Sequence, residues 1–261
     1  MCILVFVLRY EADGPRATLT IDEPEKRNPL TTSTMQALLG AVGEAAADPA
    51  IRVIVITGAG DRAFCAGGDL SGGFVDEALA SHGARGALAD LFRAMRRCGK
   101  PVVARVNGHA LAGGLGLAAA CDIVIAVDTA TFGAPEIAVG LWPMMITAVL
   151  QRVMPQRAAL DLMLTGRRID AAEAQRLGLV SRVVPAAELD TAVDETVGSL
   201  VSSSGALLAL GKDAFYAVED MSFDEALDHL HIGLTAAALT EDAAEGVGAF
   251  IEKRRAEWKG R

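Results

Sequence analysis

The pattern of hydrophobic and polar positions changes near residue 140. Before it, apolar runs of strand length alternate with segments of helical spacing. Residues 51–57 and 102–106 are β-branched runs of the kind that a parallel sheet buries on both faces. After Pro143 nearly every segment has helical spacing, with short breaks between segments. This order predicts an α/β core followed by a helical region.

The same spacing predicts the individual elements. Residues 2–9 and 17–21 indicate an antiparallel hairpin around Gly14-Pro15, and residues 31–47 indicate a helix that Asp48-Pro49 ends. Residues 58–70 are rich in glycine and predict a long loop. Further strands are predicted at 51–57, 102–106, 122–127, 130–132 and 180–184. Further helices are predicted within 76–98 and at 144–153, 157–164, 171–177, 187–201, 206–216, 223–239 and 241–258.

Composition and charge narrow the class of protein. Of the 261 residues, 52% are hydrophobic and 22% are charged, which is typical of a folded globular chain. The net charge of −9 argues against nucleic acid as a partner. No apolar run reaches the ~18 residues that cross a bilayer, so we expect no membrane partner. The apolar start, residues 1–8, lacks a basic leader region and is interpreted as a strand, so a cytoplasmic location is the default expectation.

Cysteine and histidine positions do not have the spacing of a metal site. The four cysteines include no C-x-x-C pair and lie beside apolar runs, so we interpret them as buried free thiols. The histidines do not form a ligand set either; His229 and His231 would point to different faces of a helix. We therefore expect no metal. The last nine residues contain five basic side chains, and both a solvated helix end and a phosphate site remain open.

Two glycine-rich turns follow two of the predicted buried strands. One is residues 64–70, FCAGGDL, and the other is Ala112-Gly113-Gly114 at a predicted helix start. Backbone N–H groups at a helix start favour an anion or a developing oxyanion, although glycines there also allow close packing of helix on sheet. If neighbouring strands place the turns side by side, one N–H from each could meet at a single carbonyl oxygen and form an oxyanion hole.

Residues 58–63, GAGDRA, also fit the glycine pattern of a dinucleotide-binding turn. The context argues against that interpretation, because the following residues are loop-like rather than helical and no acid ends a recognisable next strand. A nucleophile elbow and a P-loop lysine are absent from the sequence as well. We therefore expect no nicotinamide or flavin cofactor.

Several motifs together resemble the enoyl-CoA hydratase/isomerase family, the crotonase superfamily. Residues 64–70, 107–122 and 132–143 carry its motifs FCAGGDL, NGHALAGGLGLAAACD and FGAPEIAVGLWP in order, and the similarity extends over essentially the whole chain through residues 24–30, 164–185 and 249–259. The resemblance implies an α/β fold: a crotonase-like spiral core of repeated β-β-α units over 1–195, with a C-terminal helical trimerisation region over 196–261. It also implies an acyl-CoA thioester as substrate rather than as cofactor, and a homotrimer or a dimer of trimers.

The resemblance further implies roles for single residues. The backbone N–H groups of Ala66 and Gly113 would be the oxyanion donors, and Glu136 would be the catalytic acid–base. Phe250 and Lys253 would reach the CoA of a neighbouring subunit, although a plain surface helix is an equal alternative for them. The other residues implied at the substrate and CoA are Lys26, Arg27, Phe64, Ala66, Gly67, Gly68, Asp69, Leu70, Gly114 and Trp142.

Gly116 departs from the family's hydratases, which have a second glutamate at that position, and Met144 stands where they have a small glycine. Glycine cannot exchange a proton, so Glu136 remains as a single carboxylate. One carboxylate can remove a proton at C2 of a 3-enoyl thioester and return it at C4, provided that an apolar pocket raises its pKa. We therefore expect double-bond isomerisation. Hydration of a 2-enoyl-CoA and acyl-CoA binding by a weakly catalytic oligomer remain the alternatives.

Overall fold

A computed structural model describes residues 2–5, 7–69 and 82–261. In this part of the chain the strands are β1 (Cys2–Val5), β2 (Leu8–Asp13), β3 (Arg16–Ile21), β4 (Val53–Gly58), β5 (Ala63–Cys65), β6 (Val102–Val106), β7 (His109–Leu111), β8 (Ile123–Val127), β9 (Thr131–Gly133), β10 (Arg168–Asp170) and β11 (Arg182–Val184). The helices are α1 (Thr32–Ala47), α2 (His82–Arg97), α3 (Gly113–Ala119), α4 (Met144–Val153), α5 (Gln156–Thr165), α6 (Ala171–Arg176), α7 (Leu189–Val201), α8 (Gly205–Ala217), α9 (Phe223–Ala238) and α10 (Glu241–Glu252).

The larger of two sheets holds most of the core. Its strand order is β1-β2-β3-β4-β6-β8-β11, antiparallel up to β3 and parallel from β3 onward. Every residue of β4 is buried, as its β-branched run predicts for a strand covered on both faces. The predicted hairpin is confirmed around Gly14-Pro15, but residues 2–9 divide into two strands, β1 and the start of β2.

The smaller sheet has the order β10-β9-β7-β5, and each of its strands is three residues long. Strands β5, β7 and β9 are parallel, and β10 is antiparallel to β9. The sequence predicted only β9. The expectation of one continuous loop over 58–70 was wrong, because β5 lies inside it; a three-residue strand is too short to carry a recognisable alternation of polar and apolar positions.

Most helix predictions are confirmed to within about two residues. Helix α1 begins after Thr31, whose side chain accepts a hydrogen bond from the Thr34 N–H. The helix predicted over 241–258 ends early, because Lys253 adopts a left-handed conformation with a φ of 55°. The chain then folds back, and the Trp258 indole donates a hydrogen bond to the Ser202 carbonyl. Of the helix predicted within 76–98, residues 76–81 lie outside the described residues.

The C-terminal helices dock on the core through α7 and α8. Helix α7 packs on β4, β6 and β8, and α8 packs on α2. A partly buried ion pair fixes α8, because the Lys212 ammonium lies 2.7 Å from Asp122, and the Tyr216 hydroxyl donates to the same carboxylate. The expected division between residues 195 and 196 falls inside α7 and stays a prediction. Among the described residues, no helix is long and apolar enough to span a bilayer.

Candidate active site

Three turns meet at one edge of the smaller sheet. Since β5, β7 and β9 are parallel neighbours, their carboxyl ends lie side by side, and residues 66–69, 112–114 and 134–136 follow these ends. The Ala112 N–H donates to the Gly133 carbonyl at 2.9 Å, which ties the second turn to the third strand. The structure thus brings together the two glycine-rich turns and Glu136, as the sequence analysis expected.

The first two turns touch through their backbones. Gly67 has a φ of +93°, and a Cβ atom there would lie 2.6 Å from the Ala112 Cβ. A Cβ atom on Gly114 would lie 2.2 Å from the Cys65 carbonyl oxygen. Ala112 itself has a positive φ of 51°, a strain of ~1–3 kcal/mol of the kind that clusters at functional sites. Gly67 and Gly114 are therefore required for the close approach of the two turns.

The N–H groups at this contact correct one expectation. The Ala66 N–H donates to the Arg27 carbonyl at 3.0 Å, so it is already used within the chain and is not an oxyanion donor. The Gly68 N–H and the Gly113 N–H have no acceptor within the described parts of the chain. The Gly68 nitrogen lies 3.9 Å from the ideal Cβ position of Gly113, which is the first residue of α3. The pair of unsatisfied donors is therefore Gly68 and Gly113.

Two buried asparagines, which the sequence analysis did not single out, hold these turns. The Asn28 amide donates to the Ala59 and Ala63 carbonyls at 2.9 and 2.8 Å, and Asn28 has a left-handed φ of 56° that asparagine tolerates. The Asn107 amide donates to the Gly58 and Gly60 carbonyls. The sequence does contain a signal for these two residues, because Asn28-Pro29 and Asn107-Gly108 are turn dipeptides beside glycine-rich loops.

Glu136 lies in a short 3₁₀ helix, Pro135–Val139, directly after β9. The side chain is half-buried, and its Oε2 atom is buried with no hydrogen-bond partner among the described residues. Burial raises the pKa of this carboxyl above its ordinary value, and its own backbone N–H opposes the rise. The Leu141 N–H donates to the Glu136 carbonyl at 3.0 Å, which connects Glu136 to the segment that enters α4.

Gly116 lies on α3 one turn beyond Gly113. A Cβ atom at Gly116 would lie 2.2 Å from Cγ2 and 2.8 Å from Cβ of Ile146, and 3.2 Å from Cζ of Phe92. Ile146 is 2% exposed. The space that a side chain at position 116 would need is thus filled by apolar groups from α4 and α2.

Several residues expected to border the substrate lie beside the first turn. Lys26 and Arg27 belong to the loop that is hydrogen-bonded to residues 66–67, and the Lys26 ammonium pairs with Glu23 at 2.7 Å, which raises the pKa of Lys26. Asp69 is exposed at the end of that turn, and its charge also raises the pKa of Lys26. Trp142 is partly buried against the core.

Other expected ligand contacts are corrected or stay predictions. Phe64 is wholly buried in the core, so its side chain cannot contact CoA. Phe250 and Lys253 are exposed at the end of α10, which packs on α8 and α9, so the structure does not place them at the edge that carries the three turns. Leu70 lies outside the described residues.

Paired N–H donors beside a half-buried carboxylate define a site that can hold negative charge on a carbonyl oxygen while a proton moves. The sequence profile of the enoyl-CoA hydratase/isomerase family matches residues 15–261, and the chain belongs to this family.

Individual relatives agree with that assignment. The chain is 39% identical to the "Probable enoyl-CoA hydratase echA8" of Mycobacterium bovis over 94% of both chains, and 38% identical to a carnitinyl-CoA dehydratase of Salmonella arizonae over 97% and 98%. The crystal structure of an enoyl-CoA hydratase from Mycobacterium smegmatis matches with a TM-score of 0.93 at 33% identity, covering 97% of this chain and 98% of that one. The predicted superfamily and α/β crotonase fold are confirmed.

Proposed function

We propose that this protein is an enoyl-CoA double-bond isomerase, which converts a 3-enoyl thioester into the conjugated 2-enoyl thioester. One observation carries the proposal: Glu136 is a half-buried carboxylate with an oxygen that has no partner in the described parts of the chain, while the position that could supply a second acid is Gly116, packed against Ile146 and Phe92. A single base of this kind suits the movement of one proton between two carbons.

The proton transfer balances without any other reactant. The Glu136 carboxylate removes a proton from C2, and the electron pair moves through the thioester to its carbonyl oxygen, giving a dienolate. The same carboxyl group then returns the proton to C4, so that the double bond lies between C2 and C3. The burial that raises the pKa of Glu136 favours this exchange, because it brings the acid and base forms closer in free energy near neutral pH.

The N–H groups of Gly68 and Gly113 are the proposed oxyanion donors. Both residues are accessible, and Gly113 opens α3, where the helix dipole also favours negative charge. Each such donor is typically worth ~3–4 kcal/mol in the transition state. The negative charge of the dienolate falls on the thioester oxygen, which is the atom that two convergent donors would stabilise.

We also propose the placement of the rest of the substrate. Lys26, Arg27 and Asp69 would border the CoA, because they lie on the rim of the turn that contains Gly68.

The oligomeric state is part of the proposal. Helices α9 and α10 expose large apolar side chains that a soluble assembly would cover, and a homotrimer or a dimer of trimers would do so. In such an assembly, Phe250 and Lys253 would reach the CoA bound to a neighbouring subunit. The most exposed of these apolar side chains are Phe223, Ile232, Leu234, Phe250 and Ile251.

Hydration is the second candidate function, and the names of the relatives favour it. Of the relatives described above, the one from Mycobacterium bovis is named as a probable enoyl-CoA hydratase and the one from Salmonella arizonae as a carnitinyl-CoA dehydratase. Because position 116 has no carboxylate, hydration would require Glu136 both to activate the water that attacks C3 and to supply the proton to C2.

The deciding experiment incubates the purified protein separately with a 3-enoyl-CoA and with crotonyl-CoA. Isomerisation produces the absorbance of the conjugated enoyl thioester, and hydration removes it. We expect rapid gain of absorbance from the 3-enoyl-CoA and slow or no loss from crotonyl-CoA. Fast hydration without isomerisation would overturn the proposal. Tight binding of acyl-CoA in calorimetry, with no turnover of either thioester, would favour a binding oligomer instead.

A further inference from the structure

We infer that Ile146 is a specificity-determining residue, which closes the face of α3 at Gly116 and so keeps both a second acid and a reactive water away from the substrate. The inference rests on the proposed function, because it explains why the same site would move a double bond without adding water across it. It assigns a role to a residue of α4 that neither the family motifs nor the relatives' names indicate.

The position of Gly116 makes its surroundings important for the reaction. Residues three apart on a helix lie on the same face, so Gly116 follows Gly113 along the side of α3 that begins at the proposed oxyanion donors. A thioester whose oxygen is held by the Gly113 N–H therefore has its reacting carbons near the Gly116 backbone. Any group that contacts Gly116 forms part of the wall of the reaction site.

Ile146 cannot make way easily for a larger residue at position 116. The contacting atoms are its Cβ and Cγ2, at 2.8 and 2.2 Å from the ideal Cβ position, and not the end of a flexible chain. A β-branched residue in a helix has essentially one side-chain rotamer, and Ile146 is 2% exposed within α4. The Phe92 Cζ atom lies 3.2 Å from the same ideal Cβ position. Glycine at 116 and isoleucine at 146 therefore depend on each other.

The same stretch of chain supplies both Glu136 and this apolar wall. After the 3₁₀ helix, the Leu141 N–H bonds to the Glu136 carbonyl, and the Met144 N–H bonds to the Trp142 carbonyl as α4 begins. Ile146 follows in the first turn of α4. The position of the carboxylate and the position of the isoleucine are thus fixed by one short, hydrogen-bonded connection.

An apolar wall explains the choice of reaction. Hydration forms a bond from a water oxygen to C3 and places a proton on C2, and an ordered water needs about two to four polar partners. The Ile146 methyl and the Phe92 ring offer none. Glu136 is then the only polar side chain assigned to the reaction among the described residues, and with no second group to hold a water against C3, the proton that Glu136 removes returns to carbon.

A thermal double-mutant cycle tests the steric dependence without any catalytic assay. We expect Gly116→Ala to lower Tm by about 5 °C, because the new methyl group overlaps Ile146. In the double variant Gly116→Ala/Ile146→Gly the fall should be clearly smaller than the sum of the two single effects. Gly198→Ala in α7 is the matched control, since none of the atoms that the structure describes lies within 4 Å of a Cβ there, and it should leave Tm unchanged or raise it. Additive effects in the cycle would overturn the inference.

A gain of hydration tests the functional consequence. Gly116→Glu alone should fold poorly and hydrate crotonyl-CoA no faster than the wild type. Gly116→Glu/Ile146→Gly should have a higher Tm than Gly116→Glu alone and hydrate crotonyl-CoA at least tenfold faster than either single variant. Efficient hydration by Gly116→Glu alone, or none by a well-folded double variant, would show that Ile146 does not control the reaction.

These outcomes separate the inference from the proposed function. If the wild type fails to isomerise a 3-enoyl-CoA while the double variant gains hydration, the proposed isomerase activity is wrong and the role of Ile146 stands. If the wild type isomerises and the folded double variant gains nothing, the isomerase activity stands and the role of Ile146 is wrong.

Discussion

The two sheets of this protein are built by different physical means. In the larger sheet, β3 and β4 pair over six residues, and β4 is buried along its whole length, so apolar burial holds it together. In the smaller sheet each strand has three residues, and the register shifts between Ala63 and Cys65. There, the backbones of the turns approach so closely that no methyl group would fit between them, and the side-chain amides of Asn28 and Asn107 hold the turns by hydrogen bonds.

This difference separates stability from chemistry. In the larger sheet, a smaller side chain should lower the free energy of unfolding in proportion to the apolar surface lost. The backbone should stay in place, because long ladders of hydrogen bonds fix it. In the smaller sheet, a change of one methyl group at a glycine moves the N–H groups that the reaction would use. We therefore expect substitutions in the larger sheet to change stability first, and substitutions at the edge of the smaller sheet to change turnover first.

The largest effect is expected from Glu136→Gln at that edge. Removing the single base should lower the isomerisation kcat by roughly 10³-fold, within the range of general acid–base catalysis. The measurement is steady-state turnover of a 3-enoyl-CoA. Glu188→Gln, an exposed glutamate in another 3₁₀ helix, is the control and should behave as the wild type. Unchanged turnover in Glu136→Gln would remove this glutamate from the mechanism.

Gly68→Pro should have the next largest effect, because proline removes the N–H that we assign as an oxyanion donor. We expect kcat to fall by about 10²–10³-fold, the usual loss of one donor. Gly68→Ala keeps the N–H, and no atom of the described residues would lie within 4 Å of its Cβ, so this control should retain most activity. If both variants have equal kcat and normal Tm, Gly68 is not a donor.

The contrast between the sheets is tested directly by Gly67→Ala and Ile56→Ala. Ile56 is wholly buried in β4, so its truncation should lower the free energy of unfolding by about 2–5 kcal/mol and leave kcat within twofold. Gly67→Ala puts a methyl group 2.6 Å from Ala112 at a φ of +93°, and should lower kcat at least tenfold in the molecules that remain folded. Denaturant unfolding and turnover of each variant give both quantities. A loss of kcat in Ile56→Ala with no loss in Gly67→Ala would refute the proposed difference between the two sheets.

The smallest effect concerns stability as a function of pH. Burial raises the pKa of Glu136 in the folded state, so the ionised carboxylate destabilises the fold at neutral pH, and that loss disappears below the ordinary glutamate pKa. Glu136→Gln should therefore have a higher Tm than the wild type near pH 7, and the difference should shrink as the pH falls toward 4. A difference that is independent of pH would show that the carboxylate is not destabilised by burial.

The sequence predicted the larger sheet and the helices well, because long apolar runs carry a clear period. It missed β5, β7 and β10, since three residues carry no period and their pairing depends on distant parts of the chain. The glycine-rich turns were found through their composition. Assigning the donor within the first turn to Ala66 was wrong, because the hydrogen bond to the Arg27 carbonyl depends on a loop some forty residues earlier in the chain.

Gly116 shows a second limit of sequence analysis. The glycine is visible in the sequence, and its consequence for acid–base chemistry follows from its lack of a side chain. What occupies the space around it does not follow, because Ile146 and Phe92 reach it from two other helices. The packing explains why the glycine is needed, in addition to the catalytic group that it does not provide.

The most direct test of the account follows a labelled proton. A 3-enoyl-CoA carrying deuterium at C2 is incubated with the wild-type protein, and the product is examined by mass spectrometry and NMR. If one half-buried carboxylate moves the proton, part of the conjugated 2-enoyl-CoA will carry deuterium at C4. A 3-hydroxyacyl-CoA product, or a 2-enoyl product whose C4 has gained hydrogen only from solvent, would contradict it.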